Sequence, residues 1–181
     1  MLPVLQEFGF RVLHGEEACT KCEGACCKRF PGETLPEQWK VDGELDWDKI
    51  KQALISKRWV VDWMERDHEW YPEGAYGNAP FIRPAHENSA AVLDTDTPLD
   101  LETACTFLGV SGCSLASDDR PAGCRALEAY LVESEGGLDR QCGYRGITAF
   151  KSFVAKSWFP YREQLLSTAA IAQEHIESQT C

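Results

Sequence analysis

Four cysteines fall within nine consecutive positions in CTKCEGACC, at Cys19, Cys22, Cys26 and Cys27. Thiols at that density leave three options: oxidation to disulfides, convergence on a metal, or burial as small apolar side chains. Five more stand at Cys105, Cys113, Cys124, Cys142 and Cys181. Nine in 181 residues is below the more than ~8% typical of disulfide scaffolds, and a chain this long can build a core without covalent staples. The opening stretch MLPVLQEFGFRVLHGEE lacks the basic-then-apolar order and small-residue cleavage site of a secretory signal. A cytosolic location is therefore expected, where disulfides seldom persist. The count is odd, and Cys181, distant from the others, is read as a free terminal thiol. Eight cysteines remain, four early and four late.

Thiolates are soft ligands, and several converging on one point favour zinc or iron over calcium or magnesium. Cys19 and Cys22 form the C-x2-C pair that chelates zinc and iron–sulfur centres. Gly24 and Ala25 are small enough to let the backbone turn closely. Side chains of adjacent residues diverge in most backbone conformations. Cys26 and Cys27 therefore fit two neighbouring metals, or a polynuclear centre, better than one mononuclear site, unless one is a ligand and the other is packed or reactive. The expected metal ligands are Cys19, Cys22, Cys26, Cys27, Cys105, Cys113, Cys124 and Cys142, enough for two four-coordinate sites or for one cluster with thiols to spare. Lys28, Arg29, Arg120, Arg125 and Arg140 lie within four residues of a cysteine. They are read either as cations that stabilise the thiolates or as ordinary surface charges.

CTKCEGACC, together with CTFLGVSGC and RPAGCR, resembles the zinc- or iron-chelating domain family known by a CxxCxxCC signature. Cys19, Cys22, Cys26 and Cys27 match its early knuckle. Cys105, Phe107, Leu108, Gly112 and Cys113 match the next block, with Thr106 where Pro is common. Arg120, Pro121, Cys124 and Arg125 match the last block, and Cys142 corresponds to the eighth cysteine. The spacing here is C-x2-C-x3-C-C, one residue longer than the family's name. The resemblance spans roughly residues 18 to 145 and implies metal binding. Relatives also occur in flagellin lysine N-methylases, which by analogy implies a second possibility, a cluster-dependent modifying enzyme acting by methyl transfer or redox chemistry. A metal buffer or sensor is the third.

A formal net charge of −11 argues against a nucleic-acid partner, which calls for a basic patch. No stretch approaches the roughly 18 apolar residues of a membrane helix, so no membrane partner is expected. His14, His68, His86 and His175 show no paired-ligand spacing and read as surface or core residues. Only His14, five residues before Cys19, is worth watching. DTDTPLDLE lacks the Gly and late Glu of a calcium loop and reads as an acidic turn. Trp70 and Tyr71 read mostly as core, with a cleft lining as the alternative.

The expected fold class is α+β, mostly helical, with a small irregular sheet or hairpin and cysteine-rich loops organised around metal, in one domain over 1–181. Asp46 is the expected N-cap of a helix carrying Trp47, Ile50 and Leu54, continuing or restarting through RWVVDWMERD. PFIRPA and SAAVLDT read as short extended segments that form a small hairpin or an irregular sheet, with Pro80 and Pro84 confining the first to an edge. Residues 104–125 read as loops. RALEAYLVESE reads as a short helix stopped by Gly136 and Gly137, and ITAFKSFVAKSWF as another helix. Pro160 opens a last helix with Leu165, Ala169, Ala172 and Ile176 on one stripe.

Overall fold

The computed structural model describes residues 11–14, 32–63, 79–86, 90–92, 104–110, 112–126, 128–134, 137–139, 142–143 and 147–179. The architecture over these residues is α+β: helices combined with small antiparallel sheets. In chain order the strands are β1 Arg11–His14, β2 Lys40–Val41, β3 Glu44–Leu45, β4 Trp59–Trp63, β5 Pro80–Pro84, β6 Leu108–Gly109, β7 Gly112–Cys113, β8 Glu128–Ser134, β9 Gly137–Asp139 and β10 Cys142–Gly143. The α-helices are α1 Trp47–Ile55, α2 Ala122–Ala126, α3 Ile147–Trp158 and α4 Arg162–Ser178.

Helix α1 begins where the carboxylate of Asp46 accepts the Lys49 N–H at 2.9 Å, satisfying one of the otherwise orphaned N-terminal donors. Ile50 and Leu54, one turn apart, are fully buried and belong to the core on which α1 and α4 pack together. The helix stops at Ser56, and Lys57 then takes a left-handed conformation with φ 58. Trp59–Trp63 consequently runs as strand β4, and the expected helical continuation through RWVVDWMERD is corrected over these residues. Its Trp-Val-Val-Asp-Trp composition suits a pleated surface better than a helix. Val60 and Val61 point to opposite faces and both are fully buried, so the strand lacks the apolar–polar alternation that would have marked it.

β4 pairs antiparallel with β5 in the register Trp59↔Pro84 to Trp63↔Pro80. The partner of PFIRPA is thus WVVDW. Among the described residues, SAAVLDT contributes a parallel bridge between Val92 and Val61, so the expected hairpin is corrected too. The two prolines sit at the ends of β5, where a missing N–H is tolerated. RALEAYLVESE also differs from expectation. Helix α2 ends at Ala126, and Glu128–Ser134 forms β8, flanked by β1 on one edge and by β9 and β10 on the other. The expected loops over 104–125 contain the β6–β7 hairpin, a 3-10 turn at Ser117–Asp119 and α2.

The core gathers Trp39, Ile50, Leu54, Val61, Phe81, Ile82, Val154, Trp158, Leu165, Ala169 and Ala172. Each fully buried large side chain contributes about 1.5–3 kcal/mol. The expected C-terminal helices are present as α3 and α4, with a 3-10 turn at Phe159–Tyr161 between them. Leu165, Ala169 and Ala172 are buried and Ile176 packs partly against the core. Among the described residues no helix is long and apolar enough to cross a membrane.

Candidate functional site

Two places in this fold hold Cys105, Cys113 and Cys124. The first is built on Thr34, a buried residue that ties the 32–39 segment to the core. Its N–H and its hydroxyl both donate to the Ile82 carbonyl at 2.8 Å. The hydroxyl oxygen accepts from Trp39 Nε1 at 3.0 Å, and the Thr34 carbonyl accepts from Trp158 Nε1 at 2.8 Å. With Thr34 fixed, Gly32 and Glu33 run directly along Gly123 and Cys124 at α2. The Gly123 N–H donates to the Glu33 carbonyl at 2.8 Å, and the Gly32 N–H donates to Cys124 Sγ at 3.2 Å.

The approach is close enough to require glycine on both sides. A Cβ at Gly32 would stand 2.5 Å from the Gly123 carbonyl carbon and 2.8 Å from Cys124 Sγ, and a Cβ at Gly123 would stand 2.5 Å from the Glu33 nitrogen. Gln38 reinforces the junction. Its Oε1 accepts the Ala122 N–H at 2.8 Å, capping α2 from 84 residues away, and its Nε2 donates to the Arg120 carbonyl at 3.0 Å.

The second place is the β6–β7 hairpin, whose base carries Cys105 and Cys113. The Leu108 N–H donates to the Cys105 carbonyl and the Ser114 N–H to the Phe107 carbonyl, each at 2.8 Å. Cys113 pairs with Leu108. The turn thereby brings two thiols eight positions apart into electrostatic contact. Cys105 is buried, with 6% exposure. Burial pushes its thiol up, and Cys113 adds to the rise, whereas the Phe107 N–H bonded to the sulfur and the guanidinium groups of Arg83 and Arg58 pull it down. Residues Ala85 and His86 extend β5 between two neighbours. The Ala85 N–H donates to the Arg58 carbonyl and the Thr106 N–H donates to the Ala85 carbonyl, both at 2.9 Å. The Thr106 hydroxyl also donates to the Arg58 carbonyl at 3.0 Å.

The cations that act on Cys105 come from β5 and the approach to β4, not from the residues flanking the cysteines in sequence. The Arg83 side chain is 4% exposed and is held by Asp62 at 2.5 Å, with Nη1 donating to the Pro84 carbonyl at 2.9 Å. Arg58 stacks over the Phe107 ring at 4.0 Å. Among the expected cations, Arg120 donates from Nε to the Leu115 carbonyl at 3.3 Å, bracing the loop, and Arg125 is exposed. Nothing in their sequence positions marks Arg58 and Arg83 as neighbours of Cys105; the connection exists only through the β4–β5 register.

Of the eight expected ligands, Cys105, Cys113 and Cys124 carry thiols that are not joined in disulfides. Cys142 opens β10 and pairs through its backbone with Ala129. Cys19, Cys22, Cys26 and Cys27 lie outside the described residues, as do Cys181, Lys28, Arg29, Arg140, His68, Trp70, Tyr71 and the acidic turn. His175 is exposed on α4, and His86 is buried. Among the described residues, no three His, Cys, Asp or Glu side chains gather as a metal-holding group. No family model, no curated protein and no solved structure matches the chain.

Proposed function

We infer that this chain is a cytosolic metal-binding protein that holds iron, as an iron–sulfur cluster, or zinc through thiolates of Cys19, Cys22, Cys26, Cys27, Cys105, Cys113, Cys124 and Cys142. The observation that best supports this reading is that Cys105 and Cys113, on either side of one tight turn, act on each other electrostatically, with a backbone N–H on the Cys105 sulfur and two guanidinium groups acting on it. Neighbouring thiols with an N–H donor and nearby cations suit a thiolate-bound metal.

The hairpin supplies two thiols and α2 supplies one, so a four-coordinate centre at either place takes further ligands from the remaining cysteines. Covalent geometry allows this at α2. Cys27 is five residues before Gly32, a tether of at most about 18 Å, and Gly32 is bonded to the Cys124 sulfur. Metal binding at such places joins distant parts of the chain and contributes directly to folding.

Elemental analysis and a visible spectrum of protein purified without oxygen test the reading. Iron with acid-labile sulfide and absorption near ~400 nm identifies a thiolate-bound cluster; zinc in a colourless protein identifies a closed structural site. Protein that is purified metal-free and fully folded, with all nine thiols alkylatable, sinks both.

A further inference from the structure

Cys105 and Cys113 are tied to opposite sides of one turn by a short set of backbone bonds. The Leu108 N–H closes a four-residue turn onto the Cys105 carbonyl at 2.8 Å, so the ends of that turn lie within about 7 Å of each other. On the facing strand the Ser114 N–H donates to the Phe107 carbonyl at 2.8 Å, which makes Leu108 and Cys113 a non-hydrogen-bonded cross-strand pair. The Cα atoms of such a pair stand about 4.5 Å apart, the closest spacing in an antiparallel ladder. Phe107 thus holds both sides: its N–H is on the Cys105 sulfur and its carbonyl is bonded to the strand of Cys113. The two thiols differ in access. Cys105 is sealed at 6% exposure, whereas Cys113 is half-buried, and neither is in a disulfide. An accessible thiol poised next to a second, resolving thiol is the arrangement found in oxidant-sensing cysteines.

We propose that Cys113 and Cys105 are a peroxide-oxidisable pair, in which Cys113 reacts with a hydroperoxide and Cys105 resolves the product to a disulfide across the hairpin. With hydrogen peroxide, the Cys113 sulfur attacks one peroxide oxygen. An S–O bond forms, the O–O bond breaks, and the leaving hydroxide departs as water with the thiol proton. The Cys105 sulfur then attacks the sulfenic sulfur. An S–S bond forms, the S–O bond breaks, and the oxygen departs as a second water with the Cys105 proton. Two thiols lose two electrons and one peroxide gains them. The chemistry does not rest on the metal-binding reading above; under that reading, metal and disulfide compete for the same two sulfurs.

The experiment mixes the full chain, reduced and treated with EDTA without oxygen, with one equivalent of hydrogen peroxide. Free thiols are counted, and disulfides are mapped after cleavage at Phe107 and Leu108, which separates the two cysteines. Two of the nine thiols are expected to be lost, with Cys105–Cys113 as the main link. Cys105→Ala is expected to stop at a sulfenic acid on Cys113 that dimedone labels, and Cys113→Ala to leave Cys105 reduced. Links from either cysteine to Cys124 as frequent as Cys105–Cys113 overturn the proposal, including where removal of metal unfolds the chain and scrambles the links. Oxidation of Cys105 in Cys113→Ala to the wild-type extent also overturns it. Protein that is purified without metal would remove the metal-binding reading and leave each of these outcomes as decisive as before.

Discussion

The backbone N–H of Gly32 donates to the sulfur of Cys124 at 3.2 Å across a sequence separation of 92 residues. The segment that follows the early cysteines in sequence is thereby fixed against a late cysteine, and the neighbouring Glu33–Gly123 bond holds the two backbones together. Gly32→Ala places a methyl group against the Gly123 backbone and the Cys124 sulfur, and neither can move as a long flexible side chain could. The expected cost is at the upper end of about 1–3 kcal/mol for overpacking. Urea denaturation checks it, and a change under about 0.5 kcal/mol would show that the two segments can separate at little cost.

Thr34 satisfies a carbonyl of β5 and an indole of the core through one hydroxyl. Thr34→Val keeps the shape and removes both bonds, leaving Trp39 Nε1 buried without this acceptor. The expected loss is about 1–3 kcal/mol, read as a lower denaturation midpoint.

The Asp62–Arg83 pair joins β4 to β5, with side-chain exposures of 18% and 4%. Asp62→Ala leaves the guanidinium buried without its carboxylate, and a loss of about 3–5 kcal/mol is expected. Asp62→Leu combined with Arg83→Met removes both charges and should recover most of that loss. Thermal and urea denaturation of these variants, alongside Arg83→Met alone, separates the pair from either residue by itself.

Helices α1, α3 and α4 were legible because each carries its own local signals: the Asp46 cap, the Pro160 break, and the Leu165–Ala169–Ala172 stripe. β4 was not. Its residues continue the apolar spacing of α1, and the break lies in the left-handed conformation of Lys57, which Lys does not advertise. β1 and β8 pair residues as far apart as Arg11 and Glu133, a relation no local window contains. The cysteine pattern marked Cys105, Cys113 and Cys124 together with five others, and did not show that Cys105 and Cys113 stand on either side of one turn. Arg58 and Arg83 carry no comparable signal, since they reach Cys105 only through cross-strand register. Thr106 donates from both its N–H and its hydroxyl, and Pro at this position could do neither.

Burial raises the Cys105 thiol in the metal-free fold, a shift only partly offset by the Phe107 N–H and two guanidinium groups. The unfolded chain, with an ordinary thiol pKa of about 8.5, then loses its proton first as pH rises. The Cys105 contribution to stability is full below that value and declines as pH climbs through the raised one. Denaturation midpoints of protein stripped of its metal by a chelator, from about pH 7 to 10, the range spanning that ordinary value, should fall more steeply for wild type than for Cys105→Ala. Parallel curves would contradict the shift.

Metal content per chain, measured for wild type, Cys113→Ser and Cys181→Ser purified without oxygen, bears most directly on the central claim. Wild type and Cys181→Ser should hold the same amount of iron or zinc, and Cys113→Ser should hold less. Folded wild-type protein without metal, or equal metal in Cys113→Ser and Cys181→Ser, would contradict it.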